Sequence, residues 1–275
     1  MARALHPIHA MQLARVVTVA AVVCCTQGMS SSPAGAQETG SQGAQGAEVS
    51  PEADQLLRRM SDFLGEQKAF SVKVDGTTDT ILKSGQKVQV HSTAMVYVKR
   101  PGHLRVDKTG DDGGAQAFSD GKTFTFYSKP QNAYVSTPAS ATLDATLEKV
   151  QGSSNPEVEM PGADLLYRDS YAGLMDDVVS GQSLGTSVVQ GVPTHHLAFR
   201  GRDVDWQIWV EDGPRQLPRK YVITSKNIEG APEYEILLSD WNLDPKLSDD
   251  LFRFKPPPGA APIGTNPSAP SKAPH

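Results

Sequence analysis

The feature that most constrains this chain is its punctuation. Between Val96 and Ser136 it reads VYVKRPGHLRVDKTGDDGGAQAFSDGKTFTFYSKPQNAYVS, a series of short alternating runs cut by Pro101-Gly102, by Asp111 to Gly114 and by Asp120-Gly121. Alternation with a period of two sends successive side chains to opposite faces of a strand. Asp-Gly is a hairpin signal, and Pro-Gly and Gly-Gly are turn dipeptides. The stretch predicts a meander of antiparallel strands.

The same pattern continues on both sides. Phe70, Val72 and Val74 share one face of a run, and Val88, Val90, Ala94, Val96 and Val98 share a face of the next, with Ser84-Gly85 between them as a hairpin turn. Strands resume in VSGQSLGTSVVQ, THHLAFRG, DVDWQIWVE, LPRKYVITSK and PEYEILLSDWNL. The spacing gives about eleven strands, regular as in a sandwich or barrel and unlike βαβ units. In the last run Tyr234, Ile236 and Leu238 alternate with Leu237, Trp241 and Leu243, so neither face reads as plainly wet.

Helical spacing appears in two places. In SPEADQLLRRMSDFLGEQ, Ser50 suits the N-cap and Pro51 the first turn, and Leu56, Leu57, Met60, Phe63 and Leu64 form an apolar stripe that Gly65 should end. In the middle, SATLDATLEKV sets Leu143, Leu147 and Val150 on one side, and GADLLYRDSYAGLMDDV offers Leu165, Leu166, Leu174, Met175 and Val178. The predicted class is mainly β (α+β): one curved antiparallel sheet wrapped around an N-terminal helix and a central helical insertion.

The ends read differently. Val16 to Cys25 is an uncharged apolar run after Arg3 and Arg15, and Ala34 and Ala36 make an A-x-A site. Residues 1–36 are therefore read as a cleavable signal peptide, with a periplasmic destination in a Gram-negative cell. Cleavage after Ala36 removes Cys24 and Cys25, the only cysteines, so no disulfide framework follows. A second reading anchors the chain through lipid on Cys24 or Cys25; the Val or Cys residues just before them weigh against it. Residues 37–49 read as a flexible spacer, 50–256 as one folded domain, and 257–275 as a disordered Pro/Ala-rich tail.

Charge and motifs narrow the function. A net charge of -5 and a pI near 5.8 exclude a basic nucleic-acid surface. The G-x-S-x-G match GQSLG, Gly181 to Gly185, lies inside a strand run and not at a strand-to-helix elbow, and there is no H-E-x-x-H and no phosphate-cradling glycine loop. His195 and His196 are neighbours in a strand and point apart, so they cannot converge on one ion, and His91 and His103 add no ligand spacing. Asp205, Glu211 and Asp212 read as a solvated acidic face rather than a glycosidase pair. No catalytic residue, metal or cofactor is expected. In DVDWQIWVEDG, Trp206, Ile208 and Val210 share one face while Trp209 lies on the other, so both faces must meet something apolar or amphipathic.

Several segments resemble the LolA-like periplasmic carriers of outer-membrane lipoproteins: VYVKRPGHLRVD, SDGKTFTFYSKPQNAY and LSDDLFRFKPPPG. HHLAFRGRDVDWQIWVEDGPRQLPRKYVIT is similar to the second half of an uncharacterised family of predicted periplasmic proteins sharing that fold. The resemblance implies an incomplete β-barrel whose apolar concave side is covered by helices, leaving a cavity for acyl chains. It also implies that Arg100, the arginine of the KRP element, holds the lid. The family's aromatic residue after this element is Leu104 here.

The resulting expectation is an exported, non-enzymatic, monomeric protein that binds a lipid or acylated protein, with transient contact to membrane or envelope proteins. Two or three acyl chains would bind by burial alone. Val96, Val98, Phe124, Phe126, Leu197, Phe199, Trp206 and Ile208 are the candidate lining, although alternation does not say which face is concave. The alternative is a protein-binding envelope sensor or assembly factor whose cavity its own helices fill.

Overall fold

A computed structural model of the protein describes residues 48–151 and 162–263. The expected signal peptide, Cys24 and Cys25, the spacer up to residue 47 and the tail from residue 264 lie outside the described residues.

Helix α1 (Pro51–Glu66) starts as its cap chemistry dictates. The Ser50 hydroxyl accepts the Ala53 N–H at 3.3 Å, and Glu52 and Asp54 face the positive end of the helix dipole. Leu56, Leu57, Met60 and Leu64 are buried and Phe63 is half-buried. Gly65 does not end the helix, which runs on to Glu66 and is capped at Gln67. A Cβ at Gly65 would lie 2.3 Å from the Arg168 carbonyl oxygen, so this glycine answers a close approach by the central insertion.

Strands follow as β1 (Ala69–Ile81), β2 (Lys87–Lys99), β3 (His103–Gly110), β4 (Ala115–Asp120), β5 (Thr123–Ser128) and β6 (Ala133–Pro138). The insertion comprises α2 (Leu143–Gln151), a 3-10 turn at Ala163–Leu166 and α3 (Ser170–Met175). Then come β7 (Val178–Val189), β8 (Val192–Gly201), β9 (Val204–Glu211), β10 (Pro218–Ser225), β11 (Glu233–Asn242), a 3-10 turn at Asp249–Phe252 and β12 (Ala261–Pro262). They form one curved, open, 12-stranded sheet in the order β12-β6-β5-β4-β3-β2-β1-β11-β10-β9-β8-β7. Each half of the chain is an antiparallel meander, and the two meet where β1 pairs with β11.

The twelfth strand corrects the sequence reading of 257–263. Ala261 donates to the Asn132 carbonyl at 3.1 Å and Ile263 to that of Tyr134 at 2.7 Å, pairing β12 parallel to β6. Proline is tolerated at such an edge, where a missing N–H breaks no ladder. The approach to β12 is also anchored. Lys99 meets Asp249 at 2.6 Å, Arg105 donates to the Leu251 carbonyl at 3.2 Å, and Phe254 sits among Phe118, Tyr127 and Tyr134.

The main core lies on the concave side. Leu56, Leu57 and Met60 of α1 cluster with Leu197, Phe199, Trp206, Ile208 and Tyr221 of β8, β9 and β10. Phe199 stacks on Trp206 at 4.1 Å. In the other half, Val150 of α2 packs on Ala117 and Phe124.

A bulge changes one assignment. Ser71 pairs with Asn242 but Lys73 with Ser239, and Asp240 takes φ 51°, so β11 carries an extra residue there. Strict alternation would turn Trp241 away from Leu238. Instead both border one cavity, and Trp241 meets Phe70 at 5.6 Å.

Candidate functional site: a roofed groove on the concave face

The half of the sheet not covered by α1 holds a cavity of about 210 Å³. Its floor is built by register: Val72 pairs with Val96, Val96 with Val106, and Val74 with Ala94, so their side chains share one face. Gly76, Ala94, Ala115 and Ala117 lie on this wall, and their small size leaves the space open. The roof is the turn Ala163–Leu166, with Ala163, Leu165 and Leu166 against the groove.

Arg100 ties the roof down at one side. Its side chain is 9% exposed; Nη2 donates to the Leu166 carbonyl at 3.1 Å, and Nη1 lies 3.7 Å from Asp144 in the first turn of α2. One guanidinium thus holds both roof elements, a use its fixed fork of donors allows. Asp144 in turn accepts the Arg168 N–H at 3.1 Å. Burial lowers the Arg100 pKa; Asp144 opposes that shift, and Arg168 adds to it.

A second attachment lies across the groove. Asp164 is buried in the roof turn beside Tyr221 of β10 and Tyr234 of β11. Burial first, then the negative charge of Asp164, pushes the phenols of both tyrosines upward. Behind the roof, α3 hooks onto α1. Ser61 receives hydrogen bonds from the Ser170 hydroxyl at 2.9 Å and the Tyr171 N–H at 2.8 Å, and the Tyr171 hydroxyl donates to Asp54.

The structure divides the lining candidates. Val96 and Phe126 border the groove. Val98 is fully buried in the main core and Phe124 lies beneath Val150, so neither is on the wall. Leu197 and Ile208 are fully buried in the α1 half. Phe199 and Trp206 border a separate hollow of about 750 Å³ beside residues 48–51, where polar Ser180, Gln182, Arg200 and Gln207 share the rim. The reading of the sequence missed the floor residues Phe70, Val72, Ile236, Leu238 and Trp241, and the roof residues Leu165 and Leu166. The small residues at Gly76, Ala94, Ala115 and Ala117 were the available signal.

Other candidates resolve locally. His195 Nε2 lies 3.2 Å from Asp212, whereas His196 stacks on Trp209 at 3.9 Å and meets Gln207 at 3.0 Å. Burial lowers the His196 pKa. Among the described residues no group of three or more His, Cys, Asp or Glu side chains could hold a metal ion. Glu211 is not part of a solvated acidic face: it is buried and accepts hydrogen bonds from Arg215 and Arg219, whose charges offset its desolvation. No helix of the described residues is long and apolar enough to cross a membrane.

Residues 53–265 match the model of a family described as "Predicted periplasmic protein (DUF2092)". No curated protein matches the chain. Among solved structures, an uncharacterised conserved protein from Thermus thermophilus is similar at 13% identity and a TM-score of 0.48, over 77% of this chain and 98% of that one. The Mycobacterium tuberculosis lipoprotein LppX is similar at 15% identity and a TM-score of 0.45, over 71% of this chain and 100% of its own. A LolA superfamily protein from Nitrosomonas europaea aligns at 16% identity and a TM-score of 0.34, over 74% and 97%.

Proposed function

The chain belongs to this family of predicted periplasmic proteins, and from that premise we propose that it is an exported, non-catalytic protein that buries one apolar chain of a lipid or acylated protein in the roofed groove. The observation that carries this reading is an apolar cavity kept open by small strand residues under a roof latched by Arg100.

Size decides how much it holds. At about 210 Å³ the cavity exceeds the ~150 Å³ apolar void that takes up benzene and falls short of the ~300 Å³ where drug-sized pockets begin. The expectation of two or three acyl chains therefore becomes part of one. About ten buried methylene groups would contribute roughly 8 kcal/mol, enough for micromolar binding before ordering costs. Exit requires the Ala163–Leu166 turn to move, so Arg100 acts as the latch of a gate. The chain works as a monomer, exported by cleavage after Ala36 and meeting a membrane or envelope protein transiently to load or unload.

The test is native mass spectrometry with lipid extraction on protein purified from a bacterial envelope. A discrete added mass of one acyl-bearing molecule supports the reading. A clean apo mass that gains nothing on incubation with membranes would sink it and favour a protein-binding sensor or assembly factor. The solid packing of α1 against β8 and β9 is the observation that speaks for that second reading.

A further inference from the structure

We propose that the groove takes a single-chain amphiphile with an anionic head, a carboxylate or phosphate, held by Lys108 at the mouth. This inference rests on the binding reading above and goes on to name the ligand's chemistry. The groove changes character along its length, and strand register shows the direction. At one end Phe70, Val72, Val96, Leu238 and Trp241 surround it, all apolar but for the Trp241 indole N–H, which donates to the Pro218 carbonyl. Toward the other end Val74 pairs with Ala94, which pairs with Lys108; Gly76 pairs with Ser92; and Thr78 pairs with Tyr234. Thr78, Ser92, Lys108 and Tyr234 all border the cavity, so its polar groups gather at that end. From Val72 to Thr78 is about 20 Å at the rise of a strand. An elongated site, apolar at one end and polar at the other, matches an amphiphile with one tail.

Lys108 sets the sign of the head. It is the only charged residue lining the cavity among the described residues. Its side chain is 37% exposed, and Nζ lies 2.5 Å from Asp112 in the Asp111–Gly114 loop. An ammonium has three donors, and this contact uses one. Asp112 is itself held by the Gly114 N–H at 3.0 Å, and Asp111 is engaged elsewhere, accepting the His91 N–H at 2.9 Å. Lys129 adds a second ammonium close by, donating to the Lys108 carbonyl at 2.8 Å. An anionic head would take the remaining donors of Lys108, while a cationic head would meet repulsion there.

The experiment uses the full, delipidated chain and displacement of the fluorescent apolar probe N-phenyl-1-naphthylamine by ligands of equal chain length. Palmitate and palmitoyl lysophosphatidate, the two anionic sources, are compared with neutral monopalmitin and cationic hexadecyltrimethylammonium. An anionic ligand should bind roughly tenfold tighter than the neutral one, the size of a charge-assisted hydrogen bond. The tighter of the two anions identifies the head. Lys108→Gln should abolish the preference while leaving monopalmitin within about twofold, and Asp112→Asn should strengthen anion binding. Equal affinity for charged and neutral heads, or an unchanged preference in Lys108→Gln with native melting behaviour, overturns the headgroup assignment and leaves the binding function standing. Failure of the probe and of every ligand to bind overturns both.

Discussion

The two halves of the concave face are made by one sheet and treated in opposite ways. Over β8, β9 and β10 the space is filled: Phe199, Trp206 and Tyr221 meet Leu56, Leu57 and Met60 of α1. Over β1 to β4 the corresponding positions include Gly76, Ala94, Ala115 and Ala117, and a cavity remains beneath the Ala163–Leu166 turn. The same curvature therefore yields a packed core under α1 in one half and an open groove in the other, with side-chain size as the difference. The filled half supplies stability and a fixed platform, because well-packed interiors resist deformation. The hollow half gives up dispersion contacts on its walls, and a ligand can restore them.

The largest expected effect lies in the filled half. Trp206→Ala removes a side chain that is 1% exposed, stacked on Phe199 and edge-to-face with Tyr221. Truncation at such a site costs about 3–5 kcal/mol. Urea unfolding should show the stability falling by that amount. A loss under about 1 kcal/mol would mean that α1 does not fill this half as described.

Next comes the latch. Arg100→Leu leaves the Leu166 carbonyl and Asp144 without their guanidinium, at a cost of about 1–3 kcal/mol, reduced because Asp144 is 31% exposed. The loss should be local. Hydrogen exchange should rise at residues 162–167 and stay unchanged in α1, and bound lipid should dissociate faster. Uniform acceleration along the chain would show that Arg100 supports the whole fold instead of the roof.

Filling the hollow half should do the reverse of Trp206→Ala. Ala94→Trp places a large ring where Ala94 now borders the groove, so naphthylamine binding should fall at least about tenfold, about 1.4 kcal/mol, with the unfolding midpoint nearly unchanged. If stability collapses instead, the groove is a tight core seam.

Much of this comparison was legible in the sequence, and its limits are physical. Period-two runs and turn dipeptides gave the meanders, because strand alternation and hairpin chemistry are local: Asp120 Oδ1 accepts the Lys122 and Thr123 N–H groups, and Gly121 takes φ 79°. The capped start of α1 was equally local. Gly65 was misread because the reason for a glycine there is Arg168, about a hundred residues away in sequence and adjacent only after folding. Trp241 changes side through the bulge at Asp240, which breaks the alternation used to place it. Val98, Phe124, Leu197 and Ile208 are apolar strand residues like Val96 and Phe126; only the paths of α1 and α2 decide which are covered and which face the groove. Arg100 stood out through a family resemblance, and no local rule of propensity marks it.

The smallest expected effect tests the far edge of the hollow half. A proline-rich composition argued for a tail without structure, yet β12 completes the sheet beside β6. Deleting residues 259–275 removes the backbone hydrogen bonds from Ala261 and Ile263 but keeps Phe254 among Phe118, Tyr127 and Tyr134. Exposed edge bonds are worth about 1 kcal/mol net, which corresponds to a Tm shift of about 2–4 °C in a domain of this size. Extending the deletion to begin at Phe254 should cost more, because it also uncovers those three rings. If both truncations melt with the full chain, the segment after the Asp249–Phe252 turn contributes nothing to the sheet. If the shorter deletion alone lowers Tm by about ten degrees, several times the shift expected for edge bonds, β12 supports the groove's outer wall, and the hollow half is less independent of the chain's end than its hydrogen bonds indicate.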